Sequence, residues 1–152
     1  PARIEDWSFT VGLARGEGDS NSADNQDKSY RQNDLQGDSD VYGELYQPEI
    51  SNLVVQTFGV EWEAYEGVEV ALRYFEYEQD VSSDQIAGVS IEVDPTGLDS
   101  DLGREIDLVV NIETYKNLEL ELIAARFEAG KAYGVYENEI SNLVSIEINY
   151  EF

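Results

Sequence analysis

The chain has 152 residues, of which 33 are acidic and 9 basic, and its formal net charge at pH 7 is -24. So negative a chain is excluded as a nucleic-acid binder, because binding to phosphate depends on Lys and Arg displacing counterions. Cysteine and histidine are both absent, which excludes disulfides, thiolate nucleophiles, imidazole bases and the usual zinc sites.

Alternation of apolar and polar residues with a period of two recurs six times and predicts six β-strands. We expect them near residues 4–14, 52–64, 67–79, 103–115, 117–128 and 142–152. In the last strand one face carries Val144, Ile146, Ile148, Tyr150 and Phe152, and the other carries Ser145, Glu147, Asn149 and Glu151. Strands divided in this way separate two environments, and the apolar side must meet either a protein core or a lipid bilayer.

The connections between the predicted strands alternate in length. Two are tight, "AYEG" between the second and third strands and "TYKN" between the fourth and fifth. The others are long and acidic, at about residues 15–51, 80–102 and 129–141. This pattern predicts a single all-β domain over residues 1–152, an antiparallel up-and-down meander that forms a β-barrel or a barrel segment. Outer-membrane barrels have short periplasmic turns and long extracellular loops; a soluble meander with long loops is the alternative.

Glutamates concentrate on the polar faces, in the half of each strand nearest the short turns. They are Glu61, Glu63, Glu69, Glu113, Glu119, Glu121, Glu147 and Glu151. Around a pore they would form a negative ring that draws in cations and excludes polyanions. The alternative is the hydrated outer face of a soluble sheet, since confined like charges repel one another and oppose closure. Arg73 is the only clear basic residue on these faces.

The loops offer a metal-site candidate but no catalytic one. The segment "DPTGLDSD" holds Asp94, Asp99 and Asp101 around Gly97, and carboxylate oxygens are ligands that Ca²⁺ prefers. These three are calcium candidates, with ordinary hydrated surface as the alternative, because their spacing is not that of a helix-loop-helix calcium loop. No other cofactor is expected. Carboxylates are numerous, yet no pair is set apart as a glycosidase requires, so we expect no enzyme activity.

Four phrases, in order along the chain, resemble the C-terminal part of the alginate export family of outer-membrane β-barrels. They are "YGELYQPEISNL" at residues 42–53, "DPTGLDSDLGREIDLV" at 94–109, "KNLELELIAARFEAGKAYG" at 116–134 and the closing strand that ends in Phe152. The resemblance implies a monomeric, many-stranded barrel of the bacterial outer membrane that passes an anionic polysaccharide through a basic, Arg-rich lumen. Two features depart from it: six strands are fewer than the about eight of the smallest common barrels, and acidic polar faces would repel alginate.

Two functions are compatible with the sequence. In the first, the chain is an outer-membrane barrel, either shortened or the C-terminal portion of a longer one. Its apolar faces meet lipid, and it passes or binds a polysaccharide, a small solute or a cation. In the second, it is a soluble acidic β-barrel or binding module, extracellular or engineered, whose apolar faces form a core. The directions in which Glu147 and Ile148 point distinguish the two.

Overall fold

The computed structural model describes residues 7–21, 26, 28–31, 42–115 and 118–150. Within them lie six strands: β1 (Trp7–Gly16), β2 (Leu53–Tyr65), β3 (Val68–Gln79), β4 (Asp101–Tyr115), β5 (Leu118–Ala129) and β6 (Ile140–Tyr150). A 3₁₀-helix (Lys131–Tyr136) lies between β5 and β6, in a segment predicted as loop. The six predicted strands are confirmed, with every boundary within three residues of its expected position. Glu151 and Phe152 lie outside the described residues.

The six strands form one antiparallel sheet in which each strand pairs with its neighbours in sequence, in the order β1 to β6. This confirms the all-β, up-and-down meander. Within the described residues β1 and β6 are the two edges of the sheet, so this part of the chain forms a barrel segment and not a closed barrel. The same residues contain no helix long and apolar enough to cross a lipid bilayer.

The turn between β2 and β3 depends on Gly67. Its φ is +74°, a left-handed conformation that residues with a Cβ rarely adopt. A Cβ at this position would also lie 2.5 Å from the carbonyl oxygen of Glu113. The Gly67 carbonyl accepts a hydrogen bond from the Glu113 N–H at 2.8 Å, so the turn is fastened to β4 and aligns the strands at this end of the sheet.

One face of the sheet, which we call the apolar face, is exposed. In the part of the strands nearest the short turns it carries the apolar member of each alternating pair, and the exposed fraction reaches 75% for Phe9 and 78% for Val11 and Val144. Its side chains, none of them buried, are Trp7, Phe9, Val11 and Leu13 of β1, Phe58, Val60 and Trp62 of β2, Val68, Val70, Leu72 and Tyr74 of β3, Ile106, Leu108, Val110 and Ile112 of β4, Leu118, Leu120 and Leu122 of β5, and Val144, Ile146, Ile148 and Tyr150 of β6. No described part of the chain covers this face, so the alternative in which the apolar faces form the core of a soluble barrel gains no support from the described residues.

The core lies on the opposite face, which we call the polar face, at the end of the sheet where the long loops emerge. Phe75, Tyr77 and Phe127 of the sheet are buried there. Tyr46 of the β1–β2 connection and Tyr133 of the 3₁₀-helix are also buried and pack in the same cluster. The polar face is thus divided into an aromatic core beneath the long loops and a glutamate-rich half near the short turns.

The connections β1–β2 and β3–β4 are fastened together at the long-loop end. Arg15 Nε donates to Asp80 Oδ1 at 2.7 Å, and the Gly18 N–H donates to Asp80 Oδ2 at 3.0 Å. Asn52 makes two bonds of 2.8 Å to Val81: its Nδ2 donates to the carbonyl oxygen and its Oδ1 accepts from the N–H. These contacts fix where the β1–β2 connection re-enters the sheet.

Asp80→Asn is expected to lower the free energy of unfolding at pH 7 by less than about 1 kcal/mol, because the partner Arg15 is exposed and the pair is screened. The hydrogen bond from Arg15 lowers the pKa of Asp80 below its ordinary 3.8. A lowered pKa stabilises the fold above that ordinary value, and the stabilisation is lost as the pH falls through the folded-state pKa. Urea titrations in detergent micelles at pH 7 and about pH 2 should therefore show the difference from wild type shrinking. Asp84→Asn, at an exposed carboxylate, is the control, and a difference that grew in acid would contradict the assignment.

Candidate functional site

The polar face aligns glutamates in a row that crosses five strands. The register places Glu63 opposite Glu69, Glu69 opposite Asn111, Asn111 opposite Glu121 and Glu121 opposite Glu147. Directly opposed residues of antiparallel strands share a face, with Cβ atoms about 5 Å apart. We call these five residues the glutamate ladder.

A second row lies nearer the short turns, with Glu113 opposite Glu119 and Glu119 opposite Asn149. Glu61 lies one step from the ladder toward the core, opposite Ala71. The structure therefore brings onto one face all seven of the predicted carboxylates that it describes.

The arrangement of these carboxylates opposes folding. Three of the opposed pairs join glutamate to glutamate, and like charges directly opposite each other are destabilising. Arg73 is the only basic residue on the polar face of the described strands, and it is engaged by Glu61 at 3.0 Å and Glu44 at 3.5 Å. No ladder glutamate forms an ion pair with a described residue, so the described part of the chain leaves the charge of the ladder without a basic partner.

A cleft of about 520 Å³ follows the two rows. Its charged and amide side chains are Glu63, Glu69, Glu113, Glu119 and Glu121, with Asn111 and Asn149. Carboxylates concentrated along a concave surface raise the local concentration of cations and repel polyanions. Chemically, the cleft offers charge and oxygen ligands, which are suited to the passage or loose binding of cations.

Residues 42–50 of the β1–β2 connection lie on the other half of the polar face, and we call them the strap. Glu105 of β4 is only 1% exposed and accepts hydrogen bonds from the N–H groups of Leu45 and Tyr46, both at 2.8 Å. A buried carboxylate requires such partners, and the backbone of the strap supplies them.

Asp107, two residues further along β4, is fully buried. Its Oδ2 accepts a hydrogen bond from the Glu44 N–H at 3.0 Å, while its Oδ1 has no hydrogen-bond partner among the described residues. Neither Asp107 nor Glu105 was distinguished from sequence, because both alternate with apolar residues as a solvent-facing carboxylate would. Their burial follows from the strap, which no local pattern reveals.

Tyr46 joins the strap to the aromatic core. Its ring stacks on Phe127 with centroids 4.4 Å apart and lies 4.8 Å from Tyr77. Its hydroxyl and that of Tyr133 share a hydrogen bond of 2.7 Å. Burial raises the pKa of Tyr46 well above its ordinary value and that of Tyr133 to about 12, so both phenols stay protonated at neutral pH and the bond persists.

Comparison with protein families matches the model of the alginate export family to residues 5–145 of the chain. The chain belongs to the alginate export family. The resemblance to this family is therefore confirmed, over a range that includes the first three of the four phrases. Alginate export proteins form a transport family of the outer membrane, and an exposed apolar sheet face is what contact with lipid requires. No curated protein matches the chain.

The polar face of this alginate export family member differs in charge from the lumen lining that the resemblance implied. A basic, Arg-rich lining was expected, whereas Arg73 is the one basic residue on the polar face of the described strands. Glutamates occupy the half of that face nearest the short turns. A negatively charged surface repels polyanions. This half of the sheet therefore gives no support to the anionic polysaccharide cargo that the resemblance implied.

The calcium candidates of this alginate export family member lie at and before the start of β4. Asp99 Oδ1 accepts a hydrogen bond from the Asp101 N–H at 3.0 Å, which occupies an oxygen that a metal ion would need. Among the residues that the structure describes, no three acidic side chains are arranged to hold a metal ion. Asp94, Asp99 and Asp101 stay a prediction that gains no support from the geometry.

Proposed function

We propose that the chain forms part of the wall of an outer-membrane β-barrel that passes small solutes without catalysis and prefers cations to polyanions. The observation that carries the proposal is the glutamate ladder, which lies on the face opposite the exposed apolar face. In a barrel wall this opposition turns the apolar side chains toward lipid and the carboxylates toward the aqueous lumen.

The dimensions of the strands support the membrane setting. A strand that crosses a bilayer needs about 9 to 11 residues, and the six strands contain from 10 to 15. A continuous exposed apolar surface of this extent marks contact with lipid or with a partner. Trp7 and Trp62 stack at 5.1 Å near the short-turn end of the apolar face, where aromatic residues border the hydrocarbon in membrane barrels.

The lengths of the connections orient the wall. Short turns face the periplasm and long loops face outward in outer-membrane barrels. The glutamate ladder then lies at the periplasmic mouth, and the strap with its aromatic core lies in the outer half. Solutes arriving from the periplasm meet the negative charge first.

The expected selectivity follows from the charge of the ladder. One carboxylate about 7 Å from a monovalent cation in water contributes about 0.6 kcal/mol of attraction. The four ladder glutamates together contribute about 2 kcal/mol before salt screens them. Removing all four charges is therefore expected to lower the cation-to-anion permeability ratio by about tenfold at low salt.

This is tested by reconstituting the chain in planar bilayers and measuring the reversal potential under a KCl gradient. The wild type should be cation-selective, and the fourfold Gln variant at Glu63, Glu69, Glu121 and Glu147 should lose most of that selectivity. A matched control removes four loop charges, through Asp84→Asn, Glu92→Gln, Glu137→Gln and Glu139→Gln. Anion selectivity of the wild type, electrical silence, or equal loss in both variants would contradict the proposal. Anion selectivity together with block by alginate would favour an anionic polysaccharide as cargo.

A second measurement addresses the lipid-facing surface. The chain is expected to need detergent or lipid to stay monomeric and folded, because its apolar face is exposed. A folded monomer in buffer alone, shown by light scattering and circular dichroism, would contradict the membrane assignment for this chain.

A further inference from the structure

Basic side chains gather where the apolar face meets the long loops. Arg104 of β4 and Arg126 of β5 project from this face, since their cross-strand partners are Glu128 and Ile106 respectively. Lys131 begins the 3₁₀-helix immediately beyond β5. We call Arg104, Arg126 and Lys131 the basic rim.

Two of the three basic side chains of the rim have no ion-pair partner among the described residues. Arg104 Nη2 pairs with Glu128 Oε1 at 2.7 Å. Arg126 and Lys131 are exposed and form no ion pair or hydrogen bond with a described residue. In a chain with 33 acidic residues, carboxylate partners are plentiful, so these two charges are left for an anion outside the chain.

The register sets the spacing of the rim. Arg104 lies opposite Glu128, and Arg126 precedes Glu128 by two residues on the same face. Diagonal neighbours of this kind have Cβ atoms about 7 to 8 Å apart, a separation that two long side chains can close around one phosphate. Arg126 is also level with Ile106, at the upper edge of the exposed apolar surface.

A cleft of about 400 Å³ opens at the same place. Arg104 and Lys131 line it together with five carboxylates, those of Glu76, Glu78, Asp101, Glu128 and Glu137. Because the carboxylates outnumber the two cations, a phosphate enters this cleft only together with a cation that offsets their charge. Mixed charges of this kind suit a phosphate that carries a divalent counterion. The phosphate oxygens bind the cationic side chains directly, and Mg²⁺ shared with the phosphate binds the carboxylates.

We propose that the basic rim binds the phosphorylated headgroup of a glycolipid in the outer leaflet, with its acyl chains lying along the apolar face below. The proposal rests on the membrane orientation given under the proposed function, and it adds a lipid partner on the outside of the wall. A lipid fits better than a free anion because the cations border the apolar surface directly: Ile106 and Leu108, exposed on β4, continue downward from the level of Arg126.

The test is a titration of the purified chain in detergent micelles containing Mg²⁺ with diphosphoryl lipid A, with Kd measured by native mass spectrometry. Arg126→Gln combined with Lys131→Gln is expected to raise Kd by about thirtyfold, because each cation near an anionic lipid contributes about fivefold. The matched control, Lys28→Gln with Arg31→Gln, removes the same charge from the β1–β2 connection and should leave Kd within about twofold of wild type. Far-UV circular dichroism confirms that both variants are folded.

Equal weakening in both double variants would overturn the proposal, since it would mean that net charge alone attracts the lipid. Displacement of lipid A by an equal concentration of inorganic pyrophosphate would overturn it in favour of a free-anion site. The titration needs no ion conduction. A silent or anion-selective bilayer recording would therefore overturn the proposed cation-selective lumen, whereas lipid binding by the basic rim is decided by the titration alone.

Discussion

Glu105→Gln is expected to speed hydrogen exchange at the amides of Leu45 and Tyr46 by about a hundredfold, equivalent to nearly 3 kcal/mol of lost local stability. Both N–H groups donate to the buried carboxylate at 2.8 Å. Glutamine keeps one acceptor oxygen but turns an amide NH₂ toward the second N–H. That donor is then unpaired in the core, and the strap opens more often. Exchange followed by mass spectrometry in detergent micelles measures the effect.

Glu113→Gln supplies the control for this substitution. It makes the same chemical change on the same strand, but at an exposed position opposite Glu119. Exchange in the strap should stay within about twofold of wild type, because surface substitutions away from buried partners have small effects. Unchanged exchange in Glu105→Gln, or the same acceleration in both variants, would show that the carboxylate of Glu105 does not hold the strap.

Tyr46→Ala is expected to lower the free energy of unfolding by about 4 kcal/mol, the cost typical of deleting a buried aromatic ring. Tyr46 is fully buried, and its ring contacts Phe127 and Tyr77 at centroid distances of 4.4 and 4.8 Å. Removal of the ring leaves a cavity between the strap and the sheet that the surrounding rings fill only in part. Urea unfolding in micelles, followed by tryptophan fluorescence, gives the value.

Tyr46→Phe separates ring packing from the hydroxyl group. It removes only the 2.7 Å bond to the Tyr133 hydroxyl, so a loss of about 1 kcal/mol is expected. Equal destabilisation by both substitutions would show that ring packing does not fasten the strap.

In bilayer recordings the Tyr46→Ala variant should conduct more than wild type, because the strap covers the outer half of the polar face. The cation selectivity of this variant should persist.

The strands and their faces could be predicted because the pleat is a local property. Successive side chains of a strand point to opposite faces, which puts Glu147 and Ile148 on opposite sides whatever lies around them. The tight turn at Gly67 then sets the register that aligns Glu63 with Glu69. The glutamate face was therefore predictable without tertiary information.

The strap and the carboxylates beneath it could not be predicted in this way. The bonds from Leu45 and Tyr46 to Glu105 join residues 60 and 59 positions apart, and alternation carries no information at that range. For the same reason the 3₁₀-helix that brings Tyr133 to Tyr46 was predicted only as part of a loop. Contacts formed across the sheet decide both features.

By itself the sequence determined the six two-sided strands, the acidic character of one side and membership of the alginate export family. Only the tertiary structure decided which side holds the core. The physical reason is that the pleat sorts side chains by face, whereas burial depends on what lies over that face. The strap and the 3₁₀-helix cover the polar face at its long-loop end, so Glu105 is buried there among aromatic rings. Ile146 and Ile148 stay exposed on a face that no other described part of the chain covers.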